Sequence, residues 1–225
     1  DKKINFLDTP GYTDFVGEVI SAMSVADGAL ILVDAVSGLE VGTEFALQYA
    51  AEFKLPQMVV INKMDRENAN FQKTLASLQE YSDARLIPMQ LPWGEKADFK
   101  GVIDLVSMKA YKGEGKVAED IPAAFKDEAD NARLALVEVA AEGEDALLEK
   151  YFENGDLTQE EILLGLKKTI QNSNVIPVLV AAGGHMVGIA PLLDTLVNIM
   201  PGPGEVGSVK AQSAKGELIL EATDN

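Results

Sequence analysis

Short runs of β-branched and aliphatic residues punctuate the chain at residues 4–7, 29–33, 58–61 and 175–180. Each run is apolar almost throughout rather than alternating. That pattern suits strands covered on both faces, as in a parallel sheet. Between the runs, apolar positions recur at helical spacing over residues 13–25, 40–53, 68–82 and 191–199. Strand then helix, repeated, predicts an α/β fold with a doubly wound, mostly parallel sheet.

The alternation breaks after Ser82. Residues 86–91 and 102–111 read as strands, an antiparallel pair separated by the turn-rich PWGEKADFKG. Helical patterns follow over 122–141, 145–152 and 158–171. The last opens on TQEE, where Thr158 caps and Glu161 completes a capping box. Residues 86–174 therefore read as an α+β subdomain inserted into a domain made of residues 1–85 and 175–200. That insertion carries 18 acids against 10 Lys and Arg, a net of −8. Pro201-Gly-Pro-Gly204 then punctuates the chain. Residues 201–225 read as a linker running into a strand, 217–220, that begins a further domain.

Composition narrows the functional classes. The chain has 225 residues, 47% of them hydrophobic, and a formal charge of −17. No apolar run approaches the ~20 residues of a membrane helix, and no signal-peptide pattern occurs. A cytoplasmic location is the expectation. The absence of cysteine excludes disulfides and thiolate metal sites. A single histidine leaves no His-based metal cluster. The acidity argues against free nucleic acid, whose phosphates call for Lys and Arg. It suits basic protein partners, and it equally serves solubility.

Two motifs sit at the C-terminal ends of predicted parallel strands, the edge where open α/β sheets bind ligands. The first is Asp8-Thr-Pro-Gly11. Asp8 can hold a magnesium ion, through water, beside a triphosphate. Gly11 lets its N–H approach a terminal phosphate with no side chain in the way. It can also hinge the following helix, so that presence or loss of that phosphate moves it. Alone, the tetrapeptide is equally a strand, a turn and a helix start. The second motif is Asn62-Lys63-Met64-Asp65. A carboxylate at Asp65 can accept from guanine N1–H and the exocyclic N2 amine, a pair adenine does not offer. Leaving that carboxylate unpaired penalises the wrong base. Asn62 can bind the base edge and tie the loop, and the Lys63 stem can cover the ring. The two motifs in this order point to a GTPase-type guanine site.

The chain resembles the G domain of bacterial elongation factor G. The likeness rests on FLDTPGYTDFVGEV, ADGALILVDAVSGLEVGTE, VVINKMDR, MQLPWG, FKGVIDLVSMKAY, LVEVAAEGEDALLEKY and IPVLVAAGG. It implies a P-loop-GTPase-type sheet lacking its first strands and carrying an inserted subdomain. It further implies a translational GTPase that binds GTP or GDP with magnesium and works on the ribosome, in translocation. The insertion would touch the ribosomal stalk protein. A non-hydrolysing ribosome-binding paralogue and a ribosomal protection or release-type factor are the alternatives.

The sequence departs from that family in three places. No G-x-x-x-x-G-K-[ST] occurs; the nearest Gly-Lys, Gly115-Lys116, is followed by Val117. That loop and the first switch precede residue 1 in the family. The chain alone is expected to bind GTP weakly and not to hydrolyse it. The gap left by the family's central strand, between the strand ending at Asp8 and the one ending at Asp34, is expected to be closed by direct pairing, by another chain or by partial disorder near residues 1–27. Second, Ala182-Gly183 stands where the family has Ser-Ala, with a backbone N–H left to reach guanine O6. Third, Tyr12 stands where the family has the switch histidine that arranges the attacking water. A tyrosine can orient water but cannot carry a positive charge, so hydrolysis is expected to be slower or differently triggered. Its plainer reading is packing beside the helix. His185, in GGHMVG, reads as an exposed loop residue rather than a catalyst, and Trp93 as a turn or satellite-core aromatic.

Overall fold

Parallel pairing organises the first sheet. In the computed structural model, which describes residues 2–172, 174–213 and 216–222, its strands lie side by side in the order Ala29–Asp34, Gln57–Asn62, Val175–Val180, Arg85–Pro88. A short 3₁₀ turn, Thr13–Phe15, leads into α1 (Val16–Met23). Then come β1 (Ala29–Asp34), α2 (Val41–Glu52), β2 (Gln57–Asn62), α3 (Phe71–Tyr81) and β3 (Arg85–Pro88). β1 and β2 run in register from Ala29 opposite Gln57 to Asp34 opposite Asn62. The expected doubly wound α/β architecture is therefore present. The middle strands are the most apolar because both of their faces are covered. All six residues of the later strand Val175–Val180 are buried, and β2 is buried up to Ile61.

A second, antiparallel sheet has the order β4-β5-β6-β7. Its strands are β4 (Gln90–Trp93), β5 (Gly101–Asp104), β6 (Lys109–Lys112) and β7 (Ala118–Glu119). The helices α4 (Ala123–Ala141), α5 (Asp145–Asn154) and α6 (Gln159–Gln171) follow, before β8 (Val175–Val180) returns to the first sheet. α7 (Ile189–Ile199), the one-turn α8 (Pro203–Val206) and the hairpin β9 (Val209–Ser213) and β10 (Gly216–Leu220) end the described chain. β10 contains the strand expected at 217–220. Residues 1, 173, 214, 215 and 223–225, several of them in the segment read as linker, lie outside the described residues.

Local chemistry explains three of the helix starts. Asn70 caps α3 by accepting from the Lys73 N–H at 2.8 Å, and its own N–H donates to Ala35 O beyond β1. Thr158 and Glu161 form the expected capping box of α6. The first amides of α7 are satisfied from the second sheet instead. Gly188 N–H donates to Gly113 O and Ala190 N–H to Glu114 O.

Three strand expectations are corrected. Residues 4–7 are exposed and form no strand, so Asp8 does not end one. Extended apolar chain becomes a strand only against a partner, and among the described residues β1 pairs with β2 alone. The direct pairing expected between 4–7 and the next strand is not made. The run 86–91 is two strands: β3 joins β8 in parallel, and after Met89 the chain turns so that β4 pairs with β5. The run 102–111 is a hairpin, β5 and β6, not a single strand. Its turn is closed by Asp104 Oδ1, which accepts from both the N–H and the O–H of Ser107 at 2.7 Å. Trp93 ends β4, half-buried opposite Gly101. No helix among the described residues is long and apolar enough to cross a membrane.

Candidate guanine-nucleotide site

The loops after β2 and β8 lie side by side because their strands are neighbours. They are tied together by backbone and side chain. Met64 N–H donates to Ala181 O at 3.2 Å, and Gly183 N–H donates to Asn62 Oδ1 at 2.9 Å. Met64 is fully buried and anchors the first loop. Ala182 and Val187 exchange both backbone hydrogen bonds, which closes the second loop on itself. Asn62, Lys63, Asp65, Ala182 and Gly183 are thus gathered in one place. The amides of Ala182 and Gly183 already donate within the protein, so guanine O6 could take the Gly183 hydrogen only by sharing it with Asn62. With its Oδ1 committed, Asn62 has its Nδ2 donor left for a base edge.

Lys63 sits in the left-handed region, φ 61°. That costs a non-glycine residue about 1 kcal/mol, and the flanking ties hold it there. Its Nζ reaches Asp34 Oδ2 at the end of β1, 2.6 Å away. Burial pushes the Asp34 carboxyl up. The Lys63 hydrogen bond, the Val36 N–H and the Lys63 charge outweigh that and hold it below its ordinary value. A cleft of about 330 Å³ opens here, lined by Asp34, Ser37, Lys63, Arg66 and Glu67 among others.

Asp65 is met by an unexpected partner. His185 Nδ1 lies 2.8 Å from Asp65 Oδ2. His185 is exposed, as the sequence suggests, but it is engaged. Neither this pair nor Lys63–Asp34 carries a local sequence signal, since their members are 120 and 29 residues apart.

Asp8, Gly11 and Tyr12 are placed differently. All three are exposed, Tyr12 at 78%. Among the described residues, no hydrogen bond or ion pair joins them to the base loops. Tyr12 does not pack beside the helix through its ring; its carbonyl accepts from the Phe15 N–H at 3.0 Å. A methyl group placed on Gly11 would meet nothing within 4 Å. The Gly11 carbonyl abuts the start of α2, only 2.9 Å from where a Cβ of Gly42 would be. Among the described residues no three His, Cys, Asp or Glu side chains converge as a metal cage. Asp8 therefore fits magnesium only as one water-mediated contact to an ion held mainly by phosphate oxygens.

Comparison with known proteins extends this picture. The family model of the elongation factor Tu GTP binding domain matches residues 1–202. A crystal structure of a protein from Thermus thermophilus is similar over 94% of this chain, with 30% sequence identity and a TM-score of 0.80. The match covers 34% of that protein's chain, so the present chain spans about a third of its length.

Proposed function

The chain belongs to the elongation factor Tu GTP-binding domain family of translational GTPases, and on that footing we propose that it supplies the base-reading and switch parts of an elongation factor G-type enzyme. In this reading the full-length protein binds GTP, hydrolyses it on the ribosome and drives translocation. Residues 1–85 and 175–200 form the nucleotide-binding body. Residues 86–174 form the acidic insertion, offered to the ribosomal stalk, and 201–225 link onward.

The observation that carries the reading is the pair of cross-tied loops after β2 and β8. They present Asp65 and the free Nδ2 of Asn62 at the ligand-binding edge of the sheet. Asp65 accepts from guanine N1–H and N2–H, and Asn62 donates to the O6 and N7 edge. The Lys63 stem covers one face of the ring. Asp8 orients water next to the terminal phosphates, and the Gly11 N–H meets the γ-phosphate. Bound magnesium supplies charge neutralisation at those phosphates. Tyr12, free of side-chain partners among the described residues, is available to hold the attacking water as a neutral group.

Two measurements test this. Because no G-x-x-x-x-G-K-[ST] lies within these 225 residues, calorimetric titration of this chain alone is expected to show GTP binding weaker than micromolar; a micromolar titration overturns that part. In the full-length protein, Tyr12→His is expected to change ribosome-stimulated turnover severalfold or more. Unchanged turnover removes Tyr12 from the mechanism.

A further inference from the structure

We propose that His185 is a positioning residue for guanine recognition: its Nδ1 hydrogen bond fixes the carboxylate plane of Asp65 so that both base hydrogen bonds form together. The proposal rests on the reading of Asp65 as the guanine contact.

Two carboxylate bonds to one base edge require the plane of the carboxylate to match the plane of the base. An aspartate at a loop turn rotates freely about its last bond unless something holds it. The backbone of the 62–66 turn is well fixed: Arg66 N–H donates to Lys63 O, Met64 N–H to Ala181 O, and Lys96 N–H to Met64 O. None of these bonds reaches the Asp65 side chain. Among the described residues, the one hydrogen bond to that side chain is His185 Nδ1 to Oδ2, at 2.8 Å.

The histidine is itself held by its backbone. His185 N–H donates to Ala182 O at 3.0 Å and ends the 3₁₀ turn Gly183–His185. Met186 follows in the left-handed region, φ 58°, and the Ala182–Val187 bridge closes the loop behind it. The loop offers no hydroxyl of its own, since Ala182, Gly183 and Gly184 precede the histidine. His185 is the side chain in it that can donate to a carboxylate. Asp65 Oδ2 accepts from Nδ1 along one lone pair and keeps the other for the base, while Oδ1 remains open.

The pair is too exposed to matter much for folding. His185 is 73% exposed, and surface pairs of this kind contribute little to stability. Its use is therefore separable from stability. A freely rotating Asp65 would keep its bond to N1–H more often than the matched pair of bonds. Loss of His185 should then cost guanine more than hypoxanthine, which lacks the N2 amine.

The test is calorimetric titration of the full-length protein with GDP and with IDP, alongside its melting temperature. His185→Ala is expected to weaken GDP about tenfold and IDP only about two- to threefold, since a missing second hydrogen bond is what distinguishes the bases. The melting temperature should stay within about 2 °C, the range of a surface change. His185→Asn, whose amide nitrogen can take the place of Nδ1, should retain most of the GDP preference. Asp65→Asn is the control. If it abolishes the GDP preference while His185→Ala leaves it intact, the positioning role is overturned and the guanine site stands. Equal loss in His185→Ala and His185→Asn also overturns the hydrogen-bond role. If Asp65→Asn leaves the preference untouched, the guanine reading itself fails.

Discussion

At Gly183 and Gly188 the same small residue serves two opposite purposes. A Cβ on Gly183 would lie 3.5 Å from Asn62 Oδ1, an ordinary contact, and its backbone is not left-handed. Gly183→Ala is therefore expected to keep the bond to Asn62. It should stabilise the chain by about 0.5–1 kcal/mol through lower entropy of the unfolded state. Gly188, at φ 79°, would place a Cβ 2.9 Å from both Val102 Cγ1 and Val180 O. Gly188→Ala should cost about 1–3 kcal/mol. Urea denaturation midpoints of the two variants check both signs at once. This contrast was not legible in AAGGHMVG, where the glycines look alike. Asn62 and Asp65 were legible because a strand-end motif places them by adjacency alone. Their partners Gly183 and His185 lie across the sheet, and only the neighbouring of β2 and β8 brings them together.

Among the elements, two helices carry start signals that can be read in the sequence. α3 and α6 carry Asn70 and Thr158 at their starts, and α6 begins where TQEE says it should. Strands depend on a distant partner, so an apolar run reveals propensity but not pairing. Residues 4–7 are exposed for want of one, and 86–91 divides between two sheets. The β5–β6 hairpin was hidden because its turn has no glycine; it is built by Asp104 and Ser107 and clamped by Arg133, which donates to Leu105 O and Val106 O. Burial pushes the Asp104 carboxyl up against the lowering effects of Ser107 and Arg133. The charged form is thus penalised in the folded state. That penalty is fully present above the raised folded value and disappears as pH falls below the unfolded value near 4. Asp104→Asn keeps an acceptor for Ser107 and removes the charge. It should raise stability by on the order of 1 kcal/mol at pH 7, with the gain shrinking as the pH is lowered. An advantage that grows on acidification would reverse the sign. The start of α2 makes a different demand. A glycine inside a helix costs about 1 kcal/mol relative to alanine, yet Gly42 sits where the Gly11 carbonyl presses in. Gly42→Ala should lift the 8–12 segment from α2 and speed amide hydrogen exchange over residues 9–16, without loosening α2. Unchanged exchange there would show that Gly42 has no such seat.

The two four-stranded sheets are joined at the very loops assigned to the proposed base site. Lys96, between β4 and β5, donates its N–H to Met64 O in the 62–66 turn. The Gly113–Glu114 carbonyls receive the amides of Gly188 and Ala190, where the second base loop runs into α7. Gly115, at φ 84°, lets the 113–115 turn press against Pro191; a Cβ there would fall 2.4 Å from its Cδ. The second sheet is therefore a wall against which both loops are set, not an appendage remote from the site. This arrangement could not be read from the chain, because the segments involved are turns in two separate apolar patterns and their hydrogen bonds are made by backbone atoms. It has a consequence at the scale of the whole molecule. A disturbance on the second sheet should pass to the nucleotide, and binding at the nucleotide should be felt there with the same coupling free energy. Gly115→Ala touches neither the base loops nor any ligand, yet it must move the 113–115 turn or α7. In the full-length protein it is expected to weaken GDP about three- to tenfold, a coupling of ordinary size. Amide exchange should rise at residues 182–188 while β2 and β8 stay protected. If the nucleotide affinity is unchanged although exchange at 182–188 has risen, the wall supports the loops without tuning them, and any partner of the insertion must act on the nucleotide by another route.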